Sequence, residues 1–103
     1  VSEVKFKYKE DKLIKELYDY VVKTYDQHYS HNKFQTTEFI IDSGHGEGFC
    51  LGNIIKYAQR YGKKGTQNEQ RKDLLKIAHY CIIALFNHDI KSQTEGEIDN
   101  EDK

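Results

Sequence analysis

Apolar residues recur at helical spacing in three long stretches of this chain. From about Lys9 to Tyr25, Leu13, Ile14, Leu17, Tyr18, Val21, Val22 and Tyr25 line one helix face. Glu10 and Asp11 occupy the first turn, where the helix dipole favours acids. The second stretch, about Phe49 to Tyr61, offers Phe49, Ile54, Ile55 and Ala58 as apolar surface, and Gly62 is its expected stop. The third, about Glu69 to Asp89, carries Leu74, Leu75, Ile77, Ala78, Cys81, Ile82, Ile83, Ala84, Leu85 and Phe86 around nearly its whole circumference. A helix apolar on all sides is central to a domain or shared between subunits. No other segment could wrap it fully, so the pattern predicts a homo-oligomer packed largely through residues 74–86.

The intervening segments are less regular. Val4, Phe6 and Tyr8 alternate within residues 1–9 and predict a short strand or an extended arm. Gln27 to Lys33 is polar, rich in His, and reads as a loop. Thr36 or Thr37 is a candidate cap for a short helix over Thr37 to Asp42, with a strand as the alternative. Ser43 to Gly48 is expected to break regular structure, and Lys63 to Asn68 to form a basic turn. The expected fold is all-α: a small helical domain over residues 1–90 with three principal helices, then an acidic tail, 91–103, read as disordered.

Length and composition narrow the class. At 103 residues the chain makes one domain with a thin core. Charged residues at 32% and aromatics at 13% are a globular balance, and the absence of Pro suits helices. Cys50 and Cys81 sit in apolar patterns without paired spacing and read as reduced, buried thiols. No apolar run approaches the roughly 20 residues that span a bilayer, and no signal-peptide pattern is visible, so no membrane partner is expected. The start at Val1 is read as a lost initiator methionine or a trimmed leader.

The net charge of -1 hides an uneven distribution. Residues 56–76 hold Lys56, Arg60, Lys63, Lys64, Arg71, Lys72 and Lys76 against Glu69 and Asp73. Residues 91–103 hold Glu95, Glu97, Asp99, Glu101 and Asp102 against Lys91 and Lys103. A basic centre favours an anionic ligand, and the tail is a candidate shield for it.

Within that centre, Asn53, Lys56, Tyr57 and Arg60 fall at i, i+3, i+4 and i+7, one helical stripe. An amide, an ammonium, a phenol and a guanidinium make a poor core and a good anion cradle. Lys56 and Arg60 are candidate phosphate ligands, Arg60 by two parallel hydrogen bonds. Tyr57 is placed to stack on a base or donate to a phosphate, and Asn53 to read a base edge or orient a phosphate. Asp73, Lys76 and Tyr80 form a second stripe that could face the first. Asp73 then either ligates Mg²⁺ bridging phosphates or pairs with Lys56 or Arg60. Glycines at 44, 46 and 48 precede the stripe and could turn backbone N–H groups toward an anion, though they match no P-loop.

Weaker constellations remain. Glu38 with Asp42 and Glu69 with Asp73 are spaced like the Mg²⁺-binding acids of all-helical nucleotide pyrophosphatases, but are too few for such a site. His28, His31, His45, His79 and His88 with the two cysteines are too sparse for a zinc signature. Neither cysteine has an evident base for nucleophilic work.

With these residues in view, the chain resembles a family of small bacteriophage proteins, the SaV-like or nucleotide kinase-like proteins. The matching elements are His28-Tyr29, then Gln35-Thr36-Thr37-Glu38-Phe39-Ile40, then Gly52-Asn53-Ile54-Ile55-Lys56-Tyr57 with Arg60 and Lys63 or Lys64, and last Asp73-Leu74-Leu75-Lys76 with Tyr80. They cover roughly residues 28–86. The resemblance implies a phage protein acting in the host cytoplasm. One branch of that family phosphorylates deoxynucleoside monophosphates from ATP, without a P-loop, as an oligomer. Members often carry an acid just before the Gly-Asn pair, where this chain has Leu51.

The leading expectation is therefore phosphoryl transfer from ATP to a deoxynucleoside monophosphate. Arg60, Lys56 and Asp73 are the expected catalytic residues, with Asp73 as the Mg²⁺ ligand. Asn53, Tyr57, Lys76, Tyr80 and Gly52 are the expected substrate contacts. The alternatives are a non-catalytic nucleotide-binding protein, such as a sponge, and a nucleic-acid-binding oligomer using the basic turn.

Overall fold

The computed structural model describes residues 3–27 and 30–94. His28, Tyr29, the side chain of His31 and the acidic residues from 95 onward lie outside the described residues. The described chain is helical, with four helices in the order α1 (Glu10–Asp26), α2 (Ser30–Asp42), α3 (Gly46–Arg60) and α4 (Gln67–Thr94). Among the described residues there is no strand. Residues 3–9, expected as a strand or extended arm, form turns and irregular backbone with Val4, Phe6 and Tyr8 exposed. A lone strand has no ladder partner here, so the alternation finds nothing to pair with.

α1 begins and ends within one residue of its expected bounds. The polar loop expected up to Lys33 is instead the start of α2, which runs 13 residues rather than six. Its anchor is Phe34, whose ring stacks on Tyr25 at 4.3 Å. Tertiary packing thus holds a segment whose own periodicity is weak. Thr37 is not a cap: it lies inside α2, buried, and its hydroxyl donates to the Lys33 carbonyl at 3.0 Å.

α2 ends in a Schellman motif. The Gly44 N–H donates to the Ile41 carbonyl and the His45 N–H to the Ile40 carbonyl, both at 3.0 Å. Gly44 takes φ +91°, which its lack of a Cβ permits. The break expected over residues 43–48 is therefore confined to Ser43, Gly44 and His45, and α3 starts at Gly46. Gly46 is buried because α4 crosses it: a Cβ there would lie 2.8 Å from the Asn87 Cγ.

α3 and α4 form an antiparallel hairpin, with Gly46 against Asn87 at one end and Arg60 against Asp73 at the other. This is the most extensive packing in the molecule. Gly62, at φ +81°, stops α3 as expected. α4 starts earlier than expected, because Thr66 and Glu69 form a capping box: the Thr66 N–H donates to Glu69 Oε1 at 2.8 Å, and the Glu69 N–H to Thr66 Oγ1 at 3.2 Å. It also continues past residue 90 to Thr94, so the expected tail begins as helix. α1 joins α4 through a bidentate Glu16–Arg71 ion pair and an edge contact of Tyr20 on His79.

The core is thin. Cys50 is the apolar side chain sealed from solvent among the described residues. Cys81, expected buried, is exposed, although it lies near enough to Cys50 of α3 to help raise that thiol's pKa after burial. No helix among the described residues is long and apolar enough to cross a membrane.

Candidate functional site

At the turn end of the α3–α4 hairpin, the last turn of α3 faces the first turns of α4. Arg60 Nη2 donates to Asp73 Oδ1 at 2.6 Å, and Nε to Oδ2 at 3.3 Å. Asp73 is only 2% exposed, so its charge rests on this fork. The guanidinium hydrogen bonds hold its carboxyl below the usual carboxylate range, outweighing the opposing effect of burial. Reciprocally, Asp73 raises the pKa of Arg60.

The Tyr57 ring lies beside this pair and gathers three cations. Lys56 Nζ is 4.7 Å from its centroid, Lys76 Nζ 5.0 Å and Arg60 Cζ 5.1 Å. Each cation–π contact is worth about 0.5–1 kcal/mol at exposed positions, while the like charges repel one another. A groove of ≈ 300 Å³ opens next to them, lined by Arg60, Lys64, Gly65, Glu69, Lys72, Asp73 and Lys76. Among the described residues no carboxylate lies within ion-pair distance of Lys56, Lys64, Lys72 or Lys76. The acids of the groove are already engaged, Asp73 by Arg60 and Glu69 by the Thr66 N–H. The groove therefore has an unmet demand for negative charge.

Tyr80 lies parallel to Tyr57 at 6.3 Å, and Phe49 meets it edge-on at 5.8 Å. Burial first, then Tyr57 and Cys50, push its phenol pKa up. Asn53 turns its Nδ2 back onto the Phe49 carbonyl at 2.9 Å, which leaves its Oδ1 as the acceptor available to a ligand. Gly52 is exposed, with open space where a Cβ would stand.

Lys56, Tyr57, Arg60, Asp73, Lys76 and Tyr80 thus converge from two helices. Lys64 and Lys72 join them in the groove although neither falls on the two stripes, and His79 packs nearby on α4. Lys72 sits four residues before Lys76 on α4, a spacing visible in the sequence. His79 is half-buried between Tyr20 and Phe34, and burial, then Lys33, lower its pKa. Nothing in the residues around it signals that environment, because its neighbours come from α1 and α2.

Other constellations do not join the groove. The glycine-rich segment opens α3 at the opposite end of the hairpin, about 20 Å away at 1.5 Å per residue. Among the described residues no three His, Cys, Asp or Glu side chains are grouped to hold a metal ion. The larger cavity, ≈ 640 Å³, lies between α1, α2 and α4 and is lined mainly by apolar side chains such as Val21, Ile41, Ile83 and Phe86. It lacks converging cations, so the anion chemistry sits in the smaller groove.

A family described as a protein of unknown function, DUF3310, matches residues 23–81, which includes the whole stripe from Asn53 to Tyr80. The chain belongs to the DUF3310 family. It is also similar to the Gene 1.7 protein of Enterobacteria phage T3, 54% identical over 33 residues. Those residues are 32% of this chain and 20% of that protein, so the match spans about a fifth of the relative's length. Both findings support a bacteriophage protein family, as the sequence resemblance implied. No solved structure matches the chain. The DUF3310 match ends at residue 81, short of the last turns of α4.

Proposed function

We propose that the α3–α4 groove binds nucleotides by their phosphates, and that the protein transfers phosphate from ATP to a deoxynucleoside monophosphate without a P-loop. One observation carries the reading. Three cations crowd the Tyr57 ring, and the carboxylate beside them is already spent on Arg60. Phosphate oxygens would relieve that repulsion, with Arg60 and Lys76 as near ligands and Lys56, Lys64 and Lys72 at the rim. Tyr57, Tyr80 and Asn53 would contact the nucleoside.

In phosphoryl transfer the protein mainly positions groups and stabilises charge. An oxygen of the monophosphate attacks the γ-phosphorus of ATP, the bond to the bridging β–γ oxygen breaks, and ADP leaves with a deoxynucleoside diphosphate formed. Arg60 would hold the equatorial oxygens through Nη1 and the second hydrogen of Nη2, the edge of the guanidinium that its bonds to Asp73 leave open. The donor set does not fit a protein-held Mg²⁺: Asp73 would reach a metal only after releasing Arg60, and no acid cluster backs it among the described residues. Mg²⁺ therefore belongs to this reading as part of the Mg²⁺–ATP substrate. The reading also takes the protein to be a homo-oligomer in the host cytoplasm.

The spent Asp73 favours a second reading, a nucleotide-binding protein that performs no chemistry. Incubation with ATP, Mg²⁺ and each deoxynucleoside monophosphate, with products separated by chromatography, distinguishes the two. New diphosphate supports the kinase. Tight binding of one nucleotide, recovered unchanged, replaces the kinase with the sponge. Absence of both overturns the nucleotide site.

A further inference from the structure

Lys72, Lys76, His79, Ile83 and Phe86 follow one another at steps of four, three, four and three along α4, which sets them in one row. The row changes chemistry midway. Lys72 and Lys76 line the cationic groove, whereas His79, Ile83 and Phe86 line the ≈ 640 Å³ cavity between α1, α2 and α4. A cleft of ≈ 20 Å³ shares residues with both, and is lined by Lys33, Thr37, Tyr57, Lys76 and His79. His79 stands about 4.5 Å beyond Lys76 along the helix axis.

The cavity has the size of a small-molecule site. Tyr25 and Phe34, stacked on each other, line it together with Ile41, Ile83 and Phe86. Polar groups converge on the same space. His79 makes ring contacts but no hydrogen bond among the described residues, and neither of its nitrogens is sealed off. Gln35 and Glu38, one turn apart on α2, have no hydrogen-bond or ion-pair partner among the described residues. An alkyl chain would cover these donors and acceptors without satisfying them. A flat heterocycle fills the apolar space with its ring and meets the polar groups with its edge. An ionised Glu38 only accepts, so it calls for N–H donors, and its charge keeps phosphate out of the cavity. Phosphate has a place at the cleft instead, where Lys33 and Lys76 have no carboxylate within ion-pair distance among the described residues.

Phosphoryl transfer brings two nucleosides to one set of phosphates, and Tyr57, Tyr80 and Asn53 account for one of them. We propose that the cavity receives the base of the other, a nitrogen heterocycle whose N–H groups meet Glu38 and whose ring edge meets His79, with its phosphate at Lys33 and Lys76. The proposal rests on the nucleotide reading of the groove and adds the place where the second base is read.

Amide NMR spectra of the full chain, titrated with inorganic phosphate, ATP, each deoxynucleoside monophosphate and decyl phosphate, test it. Inorganic phosphate is expected to shift Arg60, Lys72 and Lys76 and to leave Ile41, Ile83 and Phe86 in place. At least one of the nucleotides is expected to shift both sets. Glu38→Gln changes an exposed side chain, and circular dichroism verifies its helices. It is expected to weaken that nucleotide about tenfold or more while inorganic phosphate binds as before. Nucleotide shifts confined to the groove, unchanged nucleotide affinity in Glu38→Gln, or cavity shifts from decyl phosphate alone each overturn the base site and leave the groove standing. Nucleotides that move neither set overturn the nucleotide reading, and the base site with it.

Discussion

Arg60 and Asp73 hold each other by two hydrogen bonds across the α3–α4 turn, at 2.6 and 3.3 Å, with the carboxylate almost fully enclosed. The pair fixes the planar guanidinium at the mouth of a groove that four cations line. A freely rotating arginine would lose side-chain entropy on gripping a phosphate; this one has already lost it.

If the guanidinium edge that Asp73 leaves open stabilises charge in phosphoryl transfer, Arg60→Ala lowers turnover by roughly a thousandfold or more. Arg60→Lys restores little of it, since an ammonium cannot make the parallel pair of bonds. Initial rates of diphosphate formation, with circular dichroism to verify the helices, measure both. Normal turnover in a folded Arg60→Ala protein would remove Arg60 from the mechanism.

The groups with depressed folded-state pKa values include the exposed Glu16, held down by its hydrogen bonds to Arg71; the two more enclosed ones, His79 and Asp73, shape the acid limb of stability most. His79 is lowered by burial and Lys33, and Asp73 by Arg60, its own burial opposing. In both cases the unfolded chain binds the proton more readily, so stability falls as pH falls. The His79 contribution is intact above about pH 6.5 and declines below it, and the Asp73 contribution declines below about pH 4. Urea unfolding across pH 7 to 3 is expected to show both losses. His79→Phe should flatten the first and Asp73→Asn reduce the second, the remainder coming from Glu16. A wild type that gains stability between pH 7 and 5 would contradict the assignment of His79.

Gly46 and Gly48 sit two residues apart on α3 in opposite surroundings. A methyl at 46 meets Asn87 and Ile41, and a methyl at 48 meets nothing. Gly46→Ala should therefore destabilise by about 1–3 kcal/mol through overpacking. Gly48→Ala should stabilise by about 0.5–1 kcal/mol through helix propensity. Chemical denaturation of the two variants reads the difference in sign.

Gly52 separates fold from binding in the same way. Open space surrounds it, so Gly52→Ala is expected to leave stability equal or higher by up to about 1 kcal/mol. If a nucleotide approaches the backbone there, the added methyl raises KM while thermal stability does not fall. An unchanged KM would take Gly52 out of the site.

Read alone, the sequence determined what each helix presents on its own faces. It placed α1 to within one residue and set Asn53, Lys56, Tyr57 and Arg60 on one stripe and Asp73, Lys76 and Tyr80 on another. Those are consequences of a fixed 3.6-residue period. Even the Thr66–Glu69 capping box was written there, in residues three apart. Tertiary structure alone decided which partner each face meets. It chose Arg60 for Asp73 from the two bases open to it, drew Phe34 onto Tyr25 and so made α2 from a polar stretch, and put the glycine-rich start of α3 at the far end from the cations. The physical reason is that a period records direction around one axis, whereas pairing depends on how separate axes cross, and that is settled by packing among residues distant in the chain.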